Sequence, residues 1–390
     1  MALEDFFTPS FDYDEEKRLF IEHMDFLKSL TVQEQTLYKK WNEVNRKYSR
    51  DANASRATKA QIWTPKDIND KDSTIDEIQK LNPEVVLVEG KELLEKWTHL
   101  RIFCHTMLFD VNPGRNLKFI IQDKESGKYL GALTLGSDII SLTGRDKFIG
   151  WTKENKMTDK KLNNTAIGTC IMSTQPFGYN FLGGKLAASL IVTNVVRDEW
   201  ERRYSSKLAG FTTTSLYGPS SMYNAIPYWK GLGVSSGKII TKPDDFHYTK
   251  WHDWLKENRT DDYARITKAT NSLGVASGVK QRIMQLIFNE LGLKVSSYTH
   301  GFERGIYFSE VYKNTKEFLR NEIPESELVL KERFETDTVG VIEWWKPKAI
   351  KRYKKLLAEN RLENDVLYYN NLIGMTWEEA KERYLQKVGR

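Results

Sequence analysis

Cysteine is nearly absent: Cys104 and Cys170 are the two in 390 residues. One chain can hold neither a disulfide framework nor a four-cysteine zinc site, and a reducing compartment is the natural expectation. Long apolar runs are missing as well. No stretch reaches the eighteen or so consecutive apolar residues of a membrane-spanning helix, and the opening MALEDFFTPSFDYDEEKR is acidic, unlike the basic and then apolar start of a secretory signal. The expectation is a cytoplasmic chain with no membrane partner, in the host cytoplasm if it is phage-encoded. Metal-type spacing is also wanting. The six histidines form no HExxH, and His247 and His252, five apart among Asp244, Asp245 and Asp253, are poorly placed for a ligand pair, so no metal site is expected.

Charge is close to balanced, with 59 Lys plus Arg against 53 Asp plus Glu and a formal net charge of +6. That excess is too mild over this length to establish a nucleic-acid partner, so local clustering has to decide. Hydrophobic residues at 40% and charged residues at 29% exclude a chain disordered throughout. Aromatics make up 12% and can fill a core, anchor an interface or stack on bases. Two basic stretches stand out. One runs through Lys39, Lys40, Arg46, Lys47, Arg50, Arg56 and Lys59; the other joins Lys346, Lys348, Lys351, Arg352, Lys354 and Lys355 to Trp344, Trp345 and Tyr353. The first reads either as a track for DNA phosphates or as a solvated helix face; the second reads either as phosphate contact with aromatic stacking or as a charged amphipathic helix docked by its tryptophans.

Hydrophobic spacing predicts two helices over 15–48, a short strand at 84–90, a helix at 91–107 and a hairpin over 117–138 with its turn at Ser126 and Gly127. A strand at 165–174, a glycine-bearing loop at 175–184, one long helix at 185–204 and a strand at 209–218 follow. The remainder reads as mostly helical. The expected organisation is a helical N-terminal extension (1–83), a core (84–243) and a mostly helical C-terminal region (244–390). The fold class is α+β, a mixed central sheet flanked by helices.

Strand, glycine loop and helix in that order offer backbone N–H groups and a helix dipole to an anion, which nominates Gly178, Asn180, Gly183, Gly184 and Lys185 for a phosphate-bearing cofactor. Those glycines spell neither GxGxxG nor GxxxxGK[ST], and turning the chain close to a sheet would equally require them. Arg145 and Asp146 stand beside Phe148, Ile149 and Trp151; they read as a structural ion pair, or as a phosphate clamp and a proton acceptor. Ser173 closes the strand before the loop, where a hydroxyl caps backbone or orients a substrate. Tyr217, Ser220, Tyr223 and Tyr228 crowd the end of the next strand, and Arg304 lies beside His300 in a glycine-flanked turn.

The run IMSTQPFGYNFLGGKLAASLIV through TTTSLYGPSSMYNAIPYWKGLGV resembles the core of GNAT-type acyltransferases, with Asn224, Ala225, Tyr228 and Gly233 echoing their closing motif. It lacks that family's usual Gln/Arg-x-x-Gly-x-Gly/Ala loop, and Tyr228 lies one residue further from its glycine. Over about 117–238 the segments YLGALTLGSD, GRDKFIGWT, DEWERRY and SLYGPSSMYNAIPYWKGLGVSSGK more closely resemble the DruA-like family linked to the Druantia anti-phage system, a divergent GNAT relative. More distantly the ordering of parts is similar to the phage Mom DNA-modification protein. These resemblances imply an acyl-group transferase acting on a nucleobase or modified base in DNA. Acyl-CoA (acetyl-CoA) or another phosphate-bearing donor would sit in the loop, Asp146 or water would take a proton, Tyr228 would protonate the leaving thiolate, and Ser173 would assist. Arg145, Trp151, Tyr217, Ser220, Tyr223, Arg304, Lys351 and Arg352 would face the nucleic acid. The altered glycine spacing favours the alternative, a non-catalytic GNAT-like protein that binds nucleic acid in phage defence or counter-defence.

Overall fold

The structure is a computed structural model, described over residues 11–31, 34, 35, 37, 38, 41, 42, 45, 52–104, 114–215, 219–235, 239–268, 279–300, 304–334, 337–363, 372 and 374–388. Its strands are β1 (Pro83–Leu87), β2 (Asn116–Asp123), β3 (Tyr129–Ser137), β4 (Thr165–Ser173), β5 (Gly210–Ser215), β6 (Lys230–Ser235), β7 (Ile239–Ile240), β8 (Thr299–His300) and β9 (Arg304–Glu310). The helices that matter below are α1 (Tyr13–Ser29), α2 (Lys71–Lys80), α3 (Gly90–Cys104), α4 (Thr143–Ile149), α5 (Phe177–Asn180), α6 (Gly183–Leu190), α7 (Asn194–Tyr204), α8 (Asp245–Asn258), α9 (Val279–Glu290) and α10 (Asp337–Ala358).

Chain contacts divide the protein into two compact units, Met1–Gln35 with Gly237–Phe302, and Thr36–Ser236 with Glu303–Arg390. The expected cuts near 83 and 243 follow chain order, whereas the smaller unit joins a segment that precedes Thr36–Ser236 to one inserted between the two segments of the larger unit. Two strands 60 residues apart in such a unit leave no local compositional mark, which is why chain order misleads.

The larger unit is built on a seven-stranded mixed sheet in the order β1-β2-β3-β4-β5-β9-β6. Its first three pairings are antiparallel, β4 and β5 run parallel, and β5–β9 and β9–β6 are antiparallel again. The β2–β3 hairpin forms where expected. Asp123 accepts hydrogen bonds from the Ser126 backbone (2.9 Å) and hydroxyl (2.6 Å), and Gly127 takes the left-handed conformation at φ 66° that a side chain would strain. Every β3 residue before Ser137 is buried, as a strand covered on both faces requires.

One sheet face is covered by α6, whose Leu186, Ala187, Ala188 and Leu190 are fully buried, and Trp345 and Tyr353 of α10 join the same buried cluster. The other carries Trp97 and Leu100 of α3 against Ile120, Ala132 and Cys170. The helix expected over 185–204 is in fact two. Thr193 turns its hydroxyl back to the Leu190 carbonyl (2.6 Å), and Asp337 accepts the Asn194 N–H (2.6 Å), so α7 starts afresh with a cap supplied by the start of α10.

The smaller unit packs α1, α8 and α9 around Phe20, Met24, Trp251, Leu255, Ile287 and Phe288, with β7 and β8 as a two-stranded pair. Within it His23 and His247 stack with ring centroids 4.4 Å apart, and the Asp244 N–H donates to His23 Nε2 at 3.1 Å.

Candidate functional site

The glycine-bearing loop at 175–184 is the sequence's principal candidate, and the geometry of residues 174–185 shows why the glycines are there. Phe177 and Phe181 point inward from α5 onto Trp63, with Phe177 also against Trp345 and Phe181 against Tyr353, centroids 5.5–5.6 Å apart. A Cβ on Gly183 would clash with the Phe177 ring and come within 3.1 Å of Ser173 Cβ; one on Gly178 would clash with Ser173 Oγ; one on Gly184 would lie 3.1 Å from the Met222 sulfur. The missing side chains make room for Phe177, Ser173 and Met222. The Lys185 and Leu186 amides donate to the Leu182 carbonyl at 3.0 and 3.2 Å. Asn180 is buried and pairs with the Glu363 backbone, giving its Nδ2 hydrogen to the carbonyl (2.7 Å) and accepting the N–H (3.1 Å). Lys185 Nζ donates to the Asn224 carbonyl, and burial lowers its pKa.

An acyl-CoA needs free amides and a channel at this loop. Phe177, Ser173 and Met222 occupy the space beside the glycines, and the Leu182 carbonyl takes the Lys185 amide in addition to the Leu186 amide that helical geometry assigns to it. Two concavities among the described residues, one lined by Lys59, Ile62, Thr64 and Lys128 and one by Val88, Leu94, Lys118 and Arg203, include no residue of the loop in their lining.

Arg145 and Asp146 form the structural arrangement of the two readings. The Arg145 side chain is fully buried; Nη1 lies 2.6 Å from Asp138 Oδ1, a charge contact without good hydrogen-bond alignment, while Nη2 donates to Asp146 Oδ1 and the Ile139 carbonyl, both at 2.7 Å. Asp146 holds Lys156 at 2.6 Å, and Asp138 accepts from the Thr212 hydroxyl at 2.7 Å. Two cations and two carboxylates thus neutralise one another out of water. The Trp151 ring lies 5.0 Å from the Arg145 guanidinium, its Nε1–H donates to the Leu319 carbonyl (2.6 Å), and Gly150 ends α4 at φ 81°. Arg145, Asp146 and Trp151 of the RD-x-x-IGW segment are therefore all engaged in structural contacts. The guanidinium is buried among these partners, and Asp146 is paired with both Arg145 and Lys156.

The tyrosine-rich segment sits where β4 and β5 part. Their parallel pairing ends at Gly168 and Thr213, whose hydroxyl donates to the Gly168 carbonyl at 2.9 Å. Tyr223 is buried there, its ring 4.5 Å from Tyr307; burial pushes its phenol well above the usual range, opposed by a hydrogen bond with Thr213. Tyr307 in turn accepts the Ser220 N–H at 2.7 Å. Tyr228 packs on Phe334 at 5.4 Å with its hydroxyl 3.5 Å from the Arg333 carbonyl, and burial raises its pKa also. Asp146, Tyr228 and Ser173 accordingly have three separate sets of neighbours among the described residues. Arg304 opens β9 opposite Ser235, its N–H 3.4 Å from that hydroxyl. Tyr217 lies outside the described residues.

The C-terminal basic stretch is a helix with two faces. Val341, Trp345, Ala349, Tyr353 and Leu356 of α10 are fully buried at three- and four-residue spacing, and the Trp345 Nε1–H donates to the Phe181 carbonyl at 2.9 Å. The opposite face exposes Lys348, Lys351, Lys354 and Lys355. Lys355 lies 3.7 Å from Glu359, whereas Lys351 and Lys354 make no ion pair among the described residues. Arg352 reaches the 174–185 loop: its guanidinium lies over the Tyr179 ring at 4.9 Å and its Nε donates to the Tyr179 carbonyl at 3.4 Å. Tyr179 escaped the sequence reading, since only the tertiary fold brings it to α10. Of the N-terminal basic stretch, Lys59 alone has a described side chain, and it is exposed; Lys39, Lys40, Arg46, Lys47 and Arg50 lie outside the described residues.

A family model described as Druantia protein DruA matches residues 33–321. The curated Druantia protein DruA of Escherichia coli (strain UMEA 4076-1) is 25% identical over 279 residues, which cover 66% of this chain and 67% of that protein. No solved structure matches.

Proposed function

Because the chain belongs to the Druantia protein DruA family, we propose that it acts in phage defence as a DNA-binding protein whose GNAT-like core serves as scaffold. The observation that carries this reading is the exposed face of α10, where Lys351 and Lys354 stand without a carboxylate partner among the described residues, beside Lys348 and Lys355. Unpaired cations on a rigid, well-docked helix attract a polyanion by releasing its counterions. The filled loop supports a scaffold rather than a donor site. Binding of labelled DNA to the intact chain tests the reading: the Lys351→Glu/Lys354→Glu variant should lose at least tenfold in affinity at low salt. Equal affinity for the variant and the natural chain would refute it.

One observation favours a second reading, the GNAT-like acyltransferase acting on a nucleobase. The strand order, antiparallel except for a central parallel pair that diverges beyond Gly168 and Thr213, supports a GNAT-like kinship for the core. Such an enzyme would have to open the 174–185 loop to admit acetyl-CoA or a related donor. Calorimetric titration of acetyl-CoA decides between the readings, with micromolar binding favouring the enzyme and no heat favouring the scaffold.

A further inference from the structure

The exposed face of α10 carries rings as well as charge. Trp344 is half-buried with Lys348 Nζ 4.9 Å from its ring, and Tyr179, also half-buried, lies under Arg352 at 4.9 Å. Tyr179 is held from several sides: its N–H donates to Gln175 Oε1 (3.1 Å), its carbonyl accepts from Arg352, and its hydroxyl accepts from Arg361 Nη2 at 3.5 Å. A ring fixed in this way loses little further freedom when something stacks on it.

We propose, resting on the DNA-binding reading above, that this face takes single-stranded DNA, with a base stacked on Tyr179 and the backbone running along Lys348, Lys351 and Lys354. Along the helix axis Lys348, Lys351 and Lys354 rise by about 4.5 Å at each step, a spacing on the scale of one nucleotide of a strand. A duplex would use those lysines and nothing else, because its base faces are hidden in the stack and side chains reach only phosphates or groove edges. Rings placed among the cations gain contact only when bases are unstacked, and stacking is tolerant of sequence because every base has a π-face. Glu359 partly neutralises Lys355 and Arg361, at 3.7 and 2.7 Å, which leaves the Lys348 to Lys354 segment as the strongest attraction for phosphate. The loop that sequence order marks as a cofactor cradle thus contributes through its outer surface, by presenting Tyr179.

Fluorescence anisotropy of the full chain with labelled oligothymidine, and with a duplex of the same length, tests the inference at one salt concentration. The single strand should bind about tenfold more tightly or better. Tyr179→Leu, which keeps bulk and removes the π-face, should weaken single-strand binding by about tenfold, leave duplex binding unchanged and leave the melting midpoint near that of the natural chain. Tyr179→Phe should retain single-strand binding. Equal or tighter duplex binding, or a Tyr179→Leu variant that binds oligothymidine normally, overturns the single-strand assignment. The DNA-binding reading survives that result if Lys351→Glu/Lys354→Glu still abolishes duplex binding, and falls with it if those lysines are also without effect.

Discussion

Arg145 and Asp138 meet at 2.6 Å with both side chains fully excluded from solvent, joining α4 to the strand end at the centre of the sheet. Removing the cation would strand one buried carboxylate and leave a second without its closest guanidinium. Arg145→Ala should therefore destabilise the chain by about 3–5 kcal/mol in chemical denaturation, and Arg145→Lys should recover little of it, because an ammonium cannot reproduce the planar fork. If Arg145 instead gripped a ligand phosphate, stability would stay near natural and DNA binding would drop.

Gly183 and Phe177 should prove coupled. A methyl at Gly183 runs into the Phe177 ring, so Gly183→Ala should cost about 1–3 kcal/mol of stability. Combining it with Phe177→Leu should give a total smaller than the sum of the two single changes, since each relieves the other. Strict additivity in a double-mutant cycle would mean that the loop has room the packing does not show.

Acid should weaken the smaller unit through His23. Burial depresses its pKa from 6.5 to about 4, and burial and the neighbouring His23 depress that of His247 as well. Between pH 6.5 and 4 the unfolded chain takes up a proton at position 23 that the folded unit refuses, so stability falls as pH falls across that window and levels off below it. NMR titration of the His23 ring checks the midpoint directly. A ring that protonates near pH 6.5 in the folded protein would contradict the burial account.

The parts of the fold legible in the sequence were those set by local pattern. The β2–β3 hairpin showed in two apolar runs flanking Ser126 and Gly127, and β4 and β5 showed as short β-rich runs. Docking of α10 by a tryptophan was one of the two readings of its sequence, and Trp345 is fully buried. What stayed hidden depends on partners far along the chain. A helical period runs unbroken through Ile191–Thr193, and the cap that restarts α7 comes from Asp337, 143 residues away. Gly178, Gly183 and Gly184 carry the same letters whether a diphosphate or Phe177 and Met222 lie against them. Arg145 and Asp146 are adjacent in sequence, but Asp138, which fixes Arg145 as structural, declares itself only when β3 and α4 are placed together.

The central claim is that the exposed lysines of α10 engage DNA phosphates, and the salt dependence of binding measures this most directly. Plotting log affinity against log salt for the natural chain and for Lys351→Glu/Lys354→Glu should give a natural slope steeper by about 1.4 units with a single strand, about 0.7 for each phosphate contact removed, or by about 1.8 units with a duplex, about 0.9 for each. Parallel lines of equal slope, or binding insensitive to salt in the natural chain, would contradict it.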